Sequence, residues 1–171
     1  MAILRQLTLT AWKTDLQYCC GSAPRFSAMT FDEASKLIKK GKIIALRKEL
    51  QSGLSPNFAN EYSWTLLMVA ALEGNTSIGS LLIESGAELD RRNKFRETAL
   101  SLAAHSGHPS FVKLLLSRGA SLECYPFGNT FDDWLNWVAK YSRSPEQAGH
   151  LRSLFDTERK VRANASAAHD N

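Results

Sequence analysis

Six glycines recur in this chain as three pairs. Gly41 and Gly53, Gly74 and Gly86, and Gly107 and Gly119 stand 12 residues apart, and corresponding members of successive pairs are offset by 33. A fixed period of this length requires an array of like units, each of which buries its apolar face only against its neighbours. Such an array presents one continuous surface rather than an enclosed pocket. The period therefore points towards binding and away from catalysis.

In register, the second halves of the units read GKIIALRKELQSGLSPN (41–57), GNTSIGSLLIESGAELD (74–90) and GHPSFVKLLLSRGASLE (107–123). Ile78, Leu81 and Leu82, and then Phe111, Leu114 and Leu115, follow the i, i+3, i+4 spacing of an amphipathic helix of about three turns. Gly86 and Gly119 fall just beyond it, where a left-handed terminus favours a residue without Cβ. The first halves, SWTLLMVAALEG (63–74) and RETALSLAAHSG (96–107), place Leu67, Ala70 and Ala71, and Leu100, Ala103 and Ala104, on the small-residue face of a shorter helix. Each unit is expected to run helix, tight turn, helix, then an irregular excursion.

These residues resemble the ankyrin repeat family. Thr65 and Thr98 match its threonine before the first helix, Ala70-Ala71 and Ala103-Ala104 its paired alanines, and Gly107-His108 its Gly-His turn. Leu82-Ile83-Glu84-Ser85-Gly86-Ala87 and Leu115-Leu116-Ser117-Arg118-Gly119-Ala120 match its Leu-Leu-x-x-Gly-Ala. The family's Pro-Leu-His after the threonine is replaced by Leu66-Leu67-Met68 and Ala99-Leu100-Ser101, and Leu37-Ile38 stands in place of the first alanine pair. The resemblance implies an all-α solenoid of about four helix-turn-helix repeats with short β-hairpin-like tips.

The expected organisation is an extension over 1–28, disordered, then an array over 29–160 and a disordered tail over 161–171. Within the array, 29–60 forms the N-terminal cap, 61–93 and 94–126 the central repeats, and 127–160 a degenerate C-terminal cap. Thr30 and Glu33 have capping-box spacing, which marks a helix start just after Met29. Asp32, Glu33, Lys36, Lys39, Lys40, Lys42, Arg47, Lys48 and Glu49 give the first repeat the polar outer face that a terminal unit needs. At the other end Phe131, Trp134, Leu135 and Val138 keep helical spacing, with Asp132-Asp133 suited to that helix's N-terminus. Ser144-Pro145-Glu146-Gln147 signals a further helix start, and Leu151, Leu154 and Phe155 form its apolar stripe.

Net charge is +4 in 171 residues, a mild surplus that arises from local clusters. Cys19, Cys20 and Cys124 are odd in number and do not read as a disulfide framework, so a cytoplasmic location is expected. No apolar run approaches the length of a membrane span. The expectation is a monomer with no membrane partner.

The four histidines supply no catalytic or metal constellation. His105 and His108 are three apart, but Gly107 interrupts the helix between them and no further ligand stands at matching spacing. His108 instead takes the family's structural turn position. No nucleophile-base arrangement or phosphate loop is present. Neither catalytic residues nor a cofactor or metal are expected, and the chain is not read as an enzyme.

The family's partners usually meet the loop tips and the exposed side of each first helix. By resemblance these positions fall on Phe58, Tyr62, Trp64, Glu73, Arg92, Lys94, Phe95, His105, Tyr125 and Phe127, with Glu61, Leu72, Glu97 and Ser106 beside them. Aromatic and arginine side chains dominate interface hot spots; the alternative is that Trp64, Phe95 and Phe127 only cover the bases of the tips. Arg91-Arg92-Asn93-Lys94-Phe95-Arg96 is a basic tip suited to an acidic protein surface or, as a reading of another class, to nucleic acid. The implied function is a module that binds one protein partner through a concave face. It is similar to short bacterial ankyrin proteins that act as adaptors or inhibitors, immunity proteins neutralising a toxin encoded nearby among them.

Overall fold

The computed structural model describes residues 29–123, 131–141 and 147–167. Cys19, Cys20, Cys124, Tyr125, Phe127 and the helix-start signal at Ser144–Glu146 lie outside them, as does the extension over 1–28. Eight helices are present among the described residues: α1 (Phe31–Lys39), α2 (Ile43–Gln51), α3 (Leu66–Glu73), α4 (Thr76–Glu84), α5 (Ala99–His105), α6 (Pro109–Ser117), α7 (Phe131–Tyr141) and α8 (Ala148–Ala167).

The first helices start on threonines. Thr30, Thr65 and Thr98 each accept at the side chain from the backbone N–H three residues on, and Glu33, Met68 and Ser101 close the return half of each box. The departures from the family pattern at Met68 and Ser101 thus keep the cap by other means: the N–H of Thr98 donates to Ser101 Oγ at 2.9 Å, and that of Thr65 reaches Met68 Sδ at 3.5 Å. At Glu33 the carboxylate accepts from the Thr30 N–H and hydroxyl at 2.9 and 3.0 Å. Those two bonds, helped by Lys36, hold the Glu33 carboxyl below its ordinary value.

All six periodic glycines have positive φ, from 64° to 103°. At Gly74 the requirement is double. Its φ is +67°, and a Cβ there would lie 2.5 Å from His108 Nδ1. The imidazole occupies that space because its Nε2 sits 2.9 Å from the carbonyl of Leu72, tying the α5–α6 turn to the end of α3. The structural role expected of His108 is therefore a bond between repeats.

Packing runs in two layers. α1, α3, α5 and α7 pack in sequence as the inner layer, while α2, α4, α6 and α8 form the outer one. The small faces of Ala70, Ala71, Ala103 and Ala104 are fully buried between inner helices, and Leu82 and Leu115 occupy equivalent buried places in the outer layer. Phe111 fits against Gly79, where a Cβ would come within 2.7 Å of its ring. The core continues into the last hairpin through Trp134, Leu135, Val138, Leu151 and Phe155, with Trp134 and Phe155 meeting edge to face at 5.5 Å. This is the all-α solenoid that the resemblance implies.

The end of the array differs from expectation. α8 continues to Ala167, so the disordered tail does not begin at Val161. Arg162 accounts for the continuation: its Nε donates to Glu158 Oε1 at 2.8 Å and its Nη2 to the carbonyl of Leu116 at 3.2 Å. Ala163, Ala165 and Ala167 favour helix by propensity without needing an apolar stripe. The tips are also less regular than hairpins: one isolated antiparallel bridge, Ala59 to Thr65, is formed among the described residues.

Gly74→Ala and Gly86→Ala separate backbone strain from steric conflict. At Gly86, φ is +92° but nothing lies within 4 Å of a Cβ, so alanine there should cost about 1–2 kcal/mol of left-handed strain. Gly74→Ala adds displacement of a hydrogen-bonded ring, and should cost about 1–2 kcal/mol more. Denaturant unfolding measures both. Equal losses at the two sites would mean that the His108 tie carries nothing.

Candidate functional site

The tips that project from the inner layer are built on two asparagines. Asn60 Oδ1 accepts from the N–H groups of Tyr62 and Trp64 at 3.0 Å each, and the Asn60 N–H donates to the Trp64 carbonyl at 3.1 Å. The same arrangement recurs at Asn93, 33 residues on. Its Oδ1 accepts from Phe95 and Glu97 N–H at 2.9 Å each, and its N–H donates to the Glu97 carbonyl at 3.0 Å. Ser63 and Arg96 take the left-handed position in the two turns, at φ 61° and 64°. Asn93 is buried at 5% exposure, and its Nδ2 also donates to Glu97 Oε2 at 2.8 Å.

Further bonds set the spacing between tips. Asn57 Oδ1 accepts from the Glu88 N–H at 2.8 Å, and Asp90 Oδ1, one period on, accepts from the Ser121 N–H at 2.8 Å. Lys94 N–H donates to the Tyr62 carbonyl at 3.0 Å. The tips are thus held as a rigid comb by side chains that repeat at the period of the fold.

The comb and the inner helices enclose an open groove of about 370 Å³. Phe31, Asp32, Ser35 and Lys39 of α1 form one wall, Val69 and Leu72 of α3 the floor, and Asn60, Tyr62, Trp64 and Phe95 the tips. Tyr62 and Phe95 hold the same position in successive tips and are 48% and 56% exposed. Apolar side chains this open to water on rigid turns are what a partner would bury.

The expected contact residues fall into five groups. Tyr62, Trp64 and Phe95 come together in the groove, with Trp64 also packed against the core, so it covers a tip base and lines the surface at once. Phe58 is half-buried and does not line the groove; its ring meets that of Phe31 edge to face at 5.9 Å and so backs the wall. Glu73 is exposed at the end of α3, and Lys94 extends its Nζ to 5.7 Å from the centroid of the Tyr62 ring. Arg92 and His105 make internal contacts: Arg92 Nη2 donates to the Glu123 carbonyl at 2.8 Å, and His105 stacks on Trp137 at 5.0 Å. Tyr125 and Phe127 lie outside the described residues.

Sequence reasoning passed over the α1 wall, although Asp32, Ser35 and Lys39 stand at i, i+3, i+7 on one helix face. It also passed over Asn60 and Asn93, whose 33-residue offset carried the same signal as the glycines. Among the described residues, no group of three or more His, Cys, Asp or Glu side chains could hold a metal ion. None of the described helices is long and apolar enough to cross a membrane.

Stacked helical hairpins with projecting tips define a helical repeat protein. A family model for ankyrin repeats (3 copies) matches residues 34–125, more than half of the chain, and the protein belongs to the ankyrin repeat family. Over 54 residues, 32% of the chain, it is 43% identical to a potassium channel, KOR2 of Oryza sativa subsp. japonica, and the match spans 8% of that protein. That relative is a plant protein and lends nothing to a bacterial origin.

The two asparagines allow a paired test. In Asn60→Asp the Oδ1 acceptor is retained, whereas Asn93→Asp sets a second carboxylate against that of Glu97. Asn93→Asp should therefore destabilise by about 1–3 kcal/mol more at neutral pH. A like charge raises the pKa of the new acid in the folded state above its unfolded value. The excess penalty should thus vanish at acid pH and grow as pH rises through the carboxylate range. Thermal melts across pH measure this; a pH-independent difference would show that the Glu97 contact is not what Asn93 provides.

Proposed function

We propose that the chain is a non-enzymatic interaction module that binds a protein partner through the concave groove, as an adaptor or an inhibitor. Ankyrin repeats are generally protein-interaction modules, and that much follows from the family. The observation that carries the reading is the exposure of Tyr62 and Phe95 at equivalent positions of two rigid tips over an apolar floor. An immunity-type role, neutralising a toxin encoded nearby, is one form of the inhibitor reading.

The basic tip gives less support to nucleic-acid binding. Arg91 lies 4.0 Å from Glu88, Arg92 donates to the Glu123 carbonyl, and Lys94 extends to the Tyr62 ring. Cations committed within the fold have fewer donors left for a phosphate backbone.

The test is capture of partners by the tagged protein from its native cell, followed by calorimetric titration of variants against the captured protein. Phe95→Ala and Tyr62→Ala should each weaken binding by about 2 kcal/mol, near thirtyfold, with unchanged melting. Trp64→Ala should weaken binding comparably but also cost stability, because the ring packs on the core. Arg92→Ala is a poorer probe than its sequence position promises, since it also removes a bond to the Glu123 carbonyl. Lys113→Ala and Glu84→Ala, exposed on outer-layer helices, should be silent. Loss at the outer pair with silence at Tyr62 and Phe95 would sink the groove as the binding surface.

A further inference from the structure

We propose that the outer face of the first repeat docks on anionic lipid bilayers, with Ile44 entering the headgroup region among a ring of cations. Residues 36–48, KLIKKGKIIALRK, hold six cations and no carboxylate. The fold turns one of them, Lys39, into the groove and leaves the other five exposed. Lys36 and Lys40 lie one turn apart on the side of α1 opposite buried Ala34 and Ile38. On α2, Arg47 and Lys48 follow Ile44 at i+3 and i+4, on the side away from buried Leu46, and Lys42 is the residue before α2 begins.

Two observations mark this face. First, none of these five cations has a carboxylate within 4.0 Å among the described residues, although Lys36 acts on Glu33 from farther off. Further along, Arg91, Arg118, Arg152 and Arg162 face Glu88, Glu84, Asp132 and Glu158 within 4.0 Å. Asp32 and Glu33 on the first turn of α1 and Glu49 on α2 flank the run, so the charge is of one sign over 36–48 and mixed beyond it. Second, Ile44 is 83% exposed in the middle of the basic field.

An acidic peptide or a phosphate backbone would reward the cations but not the isoleucine. A bilayer surface rewards both, since cations are drawn to anionic headgroups and an apolar side chain gains by entering the interface. The preceding residues 1–28 contain one acid, Asp15, against Arg5, Lys13 and Arg25. The absence of a spanning helix bears on crossing a membrane and leaves peripheral docking open. This face is separate from the groove, so the two readings stand or fall independently.

The experiment is co-sedimentation of the full chain with phosphatidylcholine vesicles and with mixed phosphatidylcholine–phosphatidylserine vesicles. Binding should require phosphatidylserine and disappear at high salt. Arg47→Gln combined with Lys48→Gln should weaken it by about tenfold or more. Lys113→Gln combined with Lys140→Gln, which removes the same charge elsewhere, should leave it intact. Ile44→Ser should weaken it about fivefold or more. Circular dichroism confirms that each variant is folded.

Failure to bind mixed vesicles overturns the proposal, as does equal loss in the two double variants. Silence of Ile44→Ser would make the face a contact for soluble polyanions and overturn lipid docking. A concentration-dependent dimer dissolved by Ile44→Ser would make it a self-contact, and would overturn it too.

Discussion

No helix in the first three hairpins exceeds nine residues. Helices this short are marginal on their own in water, because the cost of nucleation is spread over too few bonds. Each survives only by burying its apolar side against the next, and that requires every unit to repeat the same angle and spacing. The 33-residue period is the sequence expression of this need. The left-handed glycines reset the chain direction at each turn, and the His108 tie and the Asn57 and Asp90 bonds hold neighbouring units at one separation.

The same restriction shapes the surface. Helices short enough to stack leave their connecting tips projecting, and a projecting turn of exposed peptide groups would be floppy without internal bonds. Asn60 and Asn93 supply those bonds, each gathering four backbone groups of its own turn through side chain and main chain. Rigidity at the tip has a direct functional meaning. Tyr62 and Phe95 are offered to a partner already ordered, so less conformational entropy is lost on binding than from a flexible loop.

Legibility in the sequence followed periodicity. The glycines, the capping threonines and the apolar stripes recur at fixed offsets, and from them the helix pairs and most buried positions could be read before any coordinates. The groove was legible in part. Tyr62 and Phe95 were found as aromatics on tips, but side-chain commitments were not visible: nothing in a linear string shows that Arg92 reaches the Glu123 carbonyl 31 residues on, or that His105 faces Trp137. The α8 extension was missed for a related reason. An apolar stripe is the usual sign of a docked helix, whereas Val161 is exposed and the end of α8 is held by polar bonds from Arg162.

Repeat architecture also separates the molecule's surfaces in a way that a globular core does not. In a stack, the groove belongs to the inner helices and tips, while each end belongs to a single terminal hairpin. Among the described residues α2 packs mainly on α1 and α4, and a change on its outer side reaches the groove chiefly through them. Exposed positions such as Ile44, Arg47 and Lys48 make little of that packing, so their substitution leaves the geometry of Tyr62 and Phe95 as it was. Because stability in such arrays is a sum of near-neighbour terms, the end face can change its charge while the groove keeps its shape. The acid-free run 36–48 lies on the first hairpin among the described residues, at positions that pack little against the fold, where composition is free to answer to an outside surface.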